Sequence, residues 1–266
     1  IMSLTLVPPL HPTTPSYAAA LAELSSVSLE TLAAQAGRMT RIDRKYALAG
    51  ADAGMALELV DPATTRVLQI DGVRNLGYTS TYLDTDGLDT FLLAARDRRR
   101  RFKVRTRTYE SNGASYLEVK TSHRDQTVKH RLAGDHVRGG RLADEGATFV
   151  RETLGAAGVR GVRVETLSAS LRADYRRVTL FHEPTTARVT IDSGLTWWDV
   201  RTGSRLSRPE LSISETKSSG RACGMDRLLW SLGHRPDSVS KYATALAAMH
   251  PQLPSNKWRR VLKQHF

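Results

Sequence analysis

Five cations stand two residues apart between Arg99 and Arg107: Arg99, Arg101, Lys103, Arg105 and Arg107, with Phe102, Val104 and Thr106 among the residues between them. Alternate residues of a strand share a face, so a strand here puts five cations on one side of a sheet and apolar or β-branched side chains on the other. A helix would scatter both sets. Such a face is suited to anion chemistry, because guanidinium forks match phosphate oxygens in pairs and ammonium groups supply mobile point charges. The same parity recurs elsewhere. Asp43 and Lys45 oppose Ile42 and Tyr46; Tyr116, Glu118 and Lys120 alternate with Leu117, Val119 and Thr121; Lys129 and Arg131 alternate with Val128, His130 and Leu132. Farther on, Tyr175, Arg177 and Thr179 alternate with Arg176, Val178 and Leu180, and Arg188, Thr190 and Asp192 with Val189 and Ile191. Ser212, Ser214, Glu215 and Lys217 surround Leu211 and Ile213.

One polar strand face can simply face water. Six or seven faces with an Arg and Lys majority are better explained by a closed antiparallel barrel with a polar interior. The strands that must position these residues are predicted at 39–48, 65–71, 75–83, 100–110, 114–122, 126–132, 162–171, 174–182, 186–192, 195–200 and 210–217. Asn112-Gly113 marks a hairpin turn between two of them. Helices are predicted at 86–97, 144–157, 224–233, 238–249 and 255–264, and one or two more within 16–37. The expected organisation is a leader and helix over 1–37, a single α+β domain over 38–250 and a C-terminal helix over 251–266.

Composition narrows the partner. The 266 residues carry 39 Lys plus Arg against 27 Asp plus Glu, a formal charge of +12, with an ordinary hydrophobic share of 40% that excludes a collagen-like or wholly disordered chain. No run approaches the roughly 18 apolar residues of a membrane helix. The first residues lack the basic start of a signal peptide, so a cytoplasmic location is expected. A lone Cys223 excludes an intramolecular disulfide and a Cys-based metal site. No Walker-type loop, dinucleotide fingerprint or HExxH motif is present. Aromatics make up 6% and do not interleave with the arginine run, which argues against nucleic acid. A hard divalent cation prefers carboxylate and phosphate oxygens, which singles out Glu215, then Glu118 and Asp192. Glu118 is either a ligand or a neutraliser of the cationic wall, and Asp192, before Ser193-Gly194, is either a ligand or a turn former.

Eight short motifs follow one another in an order that resembles the VTC domain, the catalytic unit of inorganic polyphosphate polymerases within the triphosphate tunnel metalloenzymes (CYTH-like). They are Arg41-Ile-Asp-Arg-Lys45-Tyr46, Tyr82-Leu-Asp84, Lys103-Val-Arg105-Thr-Arg107, Leu117-Glu118-Val-Lys120, Tyr175-Arg-Arg177, Arg188-Val-Thr190-Ile-Asp192, Glu215-Thr-Lys217 and Ser240-Lys241-Tyr242. The resemblance implies an antiparallel eight-stranded β-barrel tunnel with flanking helices. Within it Lys45, Arg105, Arg107, Lys120, Arg177 and Arg188 would grip phosphates, Tyr175 would donate a hydrogen bond, and Glu215, with Glu118 as second candidate, would hold Mn2+ or Mg2+. Lys217, Ser240 and Lys241 match a C-terminal phosphate-binding group, Lys103 belongs to the cationic motif, and Lys129 or Arg131 is a further lumen cation. Asp43 stands where relatives usually carry Glu, which puts a direct metal role there in doubt. The expected reaction converts ATP and polyphosphate to ADP and a chain one phosphate longer. The alternatives are a triphosphatase that uses water as acceptor, or a non-enzymatic polyphosphate binder. Relatives of the yeast type work in membrane complexes, so a separate membrane partner is compatible with a chain that has no membrane segment of its own.

Overall fold

The computed structural model describes residues 17–36, 42–123 and 126–266. Arg41, the expected leader and residues 124–125 lie outside the described residues. Eight long strands carry the architecture: β1 Ile42–Ala49, β2 Asn75–Asp84, β3 Arg100–Tyr109, β4 Ser115–His123, β5 Gln126–Ala133, β6 Ser168–His182, β7 Ala187–Asp199 and β8 Leu211–Ser218. They lie side by side in the order β1-β8-β7-β6-β2-β3-β4-β5. Every pair along this path is antiparallel. Shorter strands join the sheet at its margins; Ser25–Val27, inside the segment expected to be helical, pairs in parallel with Thr65–Leu68.

The α+β class and the eight-strand path agree with expectation, but closure differs. Among the described residues no ladder joins β1 to β5, so the sheet curls into a half-barrel. The free edge is blunted: β5 exposes Lys129 and Arg131 along a strand whose positions 127–131 are all exposed, and cations on an edge discourage further pairing. Two expected strand pairs are also continuous. The segments 162–171 and 174–182 become mainly β6, and 186–192 with 195–200 become β7. Ser193-Gly194 is therefore not a turn. Gly194 adopts φ +61, and the register slips there, so that Tyr175 faces Gly194 and Leu195 together. This is a glycine-assisted bulge, which bends a strand without ending it.

Strand parity divides the apolar residues. On the convex face, Tyr46, Leu48, Val178, Leu180, Val189 and Ile191 pack with residues of the helices Gly50–Glu58 and Gly224–Ser231. The first of these helices was not anticipated. Beside it, Phe102, Val104, Leu117 and Val119 pack on the helix Asp144–Ala156. On the concave face, Ala47, Tyr82, Ala173, Tyr175, Trp197 and Ile213 meet Tyr242, Ala243, Leu246, Trp258 and Val261. The helices Ala243–Met249 and Arg259–His265 thus fill one part of the hollow, and the C-terminal helix shares the main core. No helix among the described residues is long and apolar enough to cross a membrane.

Candidate functional site

The rest of the hollow is lined by the charged parity. Register assembles it in cross-strand rows. Lys103 on β3 stands opposite Lys120 on β4, which stands opposite Lys129 on β5. One step along, Arg105, Glu118 and Arg131 form the next row, with Tyr82 of β2 beside Arg105. On the far wall, Lys45, Glu215 and Thr190 share a row, as do Asp43, Lys217 and Arg188. Arg177 stands opposite Asp192. Ser240 and Lys241 reach the same space from the segment before the helix Ala243–Met249: Lys103 Nζ donates to Ser240 Oγ at 3.1 Å, and Lys241 pairs with Asp192. The fifteen positions expected from sequence to line a site therefore lie on one concave surface. Lys129 and Arg131 sit at its open edge.

Each acid in the hollow is held by cations. Glu118, 2% exposed, accepts from Arg105 Nη2 at 2.5 Å and Nε at 2.7 Å through one oxygen, and from Arg131 Nε at 2.8 Å through the other. Lys129 Nζ lies 3.5 Å from that second oxygen. The expectation that Glu118 shares a metal meets a carboxylate already committed to guanidinium groups. Asp192 is neither turn former nor open ligand. It is buried in mid-strand and receives Arg177 Nε and Nη2 at 2.5 and 2.8 Å, a bidentate pair. Asp43 and Glu215 converge on a single ammonium, Lys217 Nζ, at 2.5 and 2.8 Å. Sequence reasoning set Asp43 aside; its place two residues before Lys45 on the lumen parity was the available signal.

Tyrosines support the guanidinium groups. Arg107 donates from Nη2 to the Tyr175 hydroxyl at 2.8 Å and from Nε to Ser80 Oγ at 3.3 Å. Tyr78 stacks on Tyr175 with centroids 5.5 Å apart, and Arg177 lies over both rings. The expected role of Tyr175 as a donor is accordingly joined by one as an acceptor. The segment that carries Ser240 and Lys241 is anchored from outside the charged lining: Tyr242 donates to buried Asp84 at 2.6 Å, and Asp84 also accepts the amides of Thr85, Thr90 and Phe91. Asp84, which the sequence places in the motif Tyr82-Leu-Asp84, thus ties the first turn of the helix Asp89–Ala95 to this segment.

The electrostatics follow from that placement. Burial, with Lys45, Lys120, Arg105 and Lys241 around it, pushes the Lys103 amine well below the ordinary lysine range. Burial likewise lowers Lys120 to about 8, with Lys45 adding to the effect. Lys129, only partly desolvated at the open edge, also falls to about 8, against the pull of Glu118. Burial raises the Glu215 carboxyl, but Lys45 and Lys217 outweigh it and hold the group ionised, well below the usual carboxylate range.

Among the described residues no cluster of three or more His, Cys, Asp or Glu side chains is arranged to hold a metal ion. Mg2+ and similar ions commonly take only one or two carboxylates and complete their shell with water and substrate phosphates. Asp43 and Glu215 fit that demand: unlike buried Glu118 they are partly exposed, and they meet at one ammonium whose place a divalent ion can share.

Among solved structures, the chain is similar to a candidate adenylate cyclase from Vibrio parahaemolyticus, with 11% identity, a TM-score of 0.44, and coverage of 79% of this chain and 98% of that one. A second candidate adenylate cyclase, from Bacillus halodurans, aligns with 11% identity and a TM-score of 0.46 over 76% and 94%. A candidate adenylyl cyclase from Hippeastrum with a dominant triphosphatase activity aligns with 13% identity and a TM-score of 0.45 over 78% and 96%. No curated protein matches significantly. The sequence profile of the VTC domain matches residues 41–250, well over half of the chain and the whole of the cation-lined sheet, and the chain belongs to the VTC domain family.

Proposed function

We propose that this chain is a metal-dependent polyphosphate polymerase that transfers the terminal phosphate of ATP to a growing polyphosphate chain. The observation that carries the reading is the concave wall on which Arg105, Arg107, Arg177, Lys45, Lys103 and Lys120 face one another with every acid among them already neutralised. Phosphoryl transfer asks a protein mainly for positioning and for stabilising charge spread over phosphate oxygens. Arg105 and Arg107 are held by Glu118, Ser80 and Tyr175, so their remaining donors are preorganised for phosphate. Arg177 and Lys241 are held in the same way by Asp192. The lysines, with fewer fixed partners, can follow a chain that must shift after each transfer.

A terminal phosphate oxygen of the chain attacks the γ-phosphorus of ATP. The bond from that phosphorus to the β,γ-bridging oxygen breaks, and ADP leaves. No protein nucleophile takes part. Glu215, with Asp43 beside it, would hold a divalent ion, which when bound offsets the charge of the two approaching polyanions. Glu118 serves this reading as a fixed counter-charge rather than a ligand.

The test is incubation of purified protein with ATP and Mn2+, with acid-insoluble polyphosphate scored on a gel. Synthesis that is lost with a chelator and falls sharply in Glu215→Gln supports the proposal. Release of orthophosphate alone would assign the site to hydrolysis. Tight polyphosphate binding without turnover would assign it to a carrier.

A further inference from the structure

The arginine run extends past the tunnel lining. Arg96, Arg98, Arg99 and Arg100 are all exposed, and among the described residues none of them is ion-paired to a carboxylate. Asp97, the single acid in the run, is already shared between Arg101 Nη1, at 3.1 Å, and Lys257. Arg101 precedes Lys103 by two residues on β3 and so continues the lumen face outward. Its cross-strand neighbours, Ser122 on β4 and Thr127 on β5, add no opposing charge. Arg100, on the opposite parity, faces the convex side, where its Nη1 lies 3.4 Å from the carbonyl of Gly158, so the patch wraps around the end of β3 toward exposed Arg160 and Arg163. Protein surfaces ordinarily intersperse both signs. A file of unpaired guanidinium groups does nothing for folding and adds repulsion, so its positions are better explained by a ligand than by stability.

We propose that Arg98, Arg99 and Arg100, with Arg96 beside them, form an external track for the part of a polyphosphate chain that lies outside the tunnel. The inference rests on the polyphosphate reading of the tunnel and adds a second contact region, continuous with Arg101 and Lys103. A short anion such as tripolyphosphate is held by the lining alone. A long chain reaches the lining and the track together, and the track raises the effective concentration of the chain at the mouth.

The experiment compares the full chain with the triple variant R98S/R99S/R100S in binding tripolyphosphate and long-chain polyphosphate over a range of salt. The variant is expected to bind the long chain about tenfold more weakly at low salt, with the logarithmic salt dependence shallower by about 2, as three lost phosphate contacts require. Tripolyphosphate binding should be unchanged, which also shows that the variant is folded. Equal losses for both ligands, no loss for either, or no preference of the wild-type chain for the long ligand would each overturn the track. So would loss of binding to phosphatidylserine vesicles with long-chain binding intact, which would mark the patch as a membrane contact. If the long-chain effect is found but ATP is never converted to polyphosphate, the track stands and the proposed reaction falls.

Discussion

In one row of the wall, Arg105, Glu118 and Arg131 are joined by a buried carboxylate that accepts from both guanidinium groups. Two residues along the same three strands, Lys103, Lys120 and Lys129 stand side by side with no acid in their own row, and Lys129 leans back toward Glu118 at 3.5 Å. The first row is complete without ligand. It satisfies its own charge, fixes its side chains and presents rigid donors. The second is incomplete, since like charges directly opposite each other destabilise a sheet. The lysines respond by losing affinity for protons. On the proposed function an anionic chain would complete this row, and the two rows would divide the work between holding a geometry and accepting a moving ligand.

Breaking the first row should have the largest effect. Glu118→Gln removes the common counter-ion from three cations and should cost about 3 kcal/mol of unfolding free energy in denaturant titrations, because it leaves charge uncompensated in a buried place. Tripolyphosphate should restore part of the loss, and a cost below about 1 kcal/mol would show that Glu118 is not the keystone of the row. Arg105→Lys keeps the charge but loses the fork, and should lower kcat/KM for triphosphate turnover about a hundredfold. Turnover close to wild type would mean that point charge suffices at this position.

The second row should answer in the opposite sense. Lys103→Met takes away a buried cation whose partners are the Ser240 hydroxyl and the Tyr82 ring but no carboxylate, so the free protein should gain about 1 kcal/mol in stability while tripolyphosphate binding weakens about tenfold. Loss of stability together with binding would erase the contrast between the rows. The dependence on pH, damped by solvent screening at the open edge, comes last. Lys120 and Lys129 sit near 8 in the folded chain against 10.5 for an ordinary lysine. Between those values the unfolded chain binds more protons, so the free protein should become more stable as pH rises from about 8 toward 10.5 and should lose that contribution as pH falls through 8. Ligand affinity should run the other way and weaken above pH 8. Thermal unfolding of wild type and the K120M/K129M double variant across this range would check it; identical pH profiles would contradict the assignment.

The lining was legible in the sequence because strand parity is local. Lys103, Arg105 and Arg107 announce both a strand and its polar face, and Asn112-Gly113 announces the hairpin to β4. What parity cannot supply is register. That Glu118 falls between Arg105 and Arg131, or that Asp43 and Glu215 meet at Lys217, depends on alignment between strands distant in the chain. Lys241 reaching Asp192 depends on how the C-terminal segment crosses the hollow. Ser193-Gly194 looked like a chain reversal because glycine permits one, whereas here it permits a bulge that keeps β7 continuous. The helix Gly50–Glu58 escaped notice because its two glycines weaken the local helical signal; packing against the convex face supplies what propensity lacks.

The proposed reaction extends a phosphate chain within the cation-lined hollow. Phosphorus NMR of the protein incubated with ATP and Mn2+ tests it most directly, since interior phosphates of a growing chain resonate apart from terminal phosphate and from orthophosphate. Interior-phosphate signal is expected to rise as ATP is converted to ADP. Orthophosphate appearing in step with ADP, with no interior signal beyond that of the nucleotides, would contradict it.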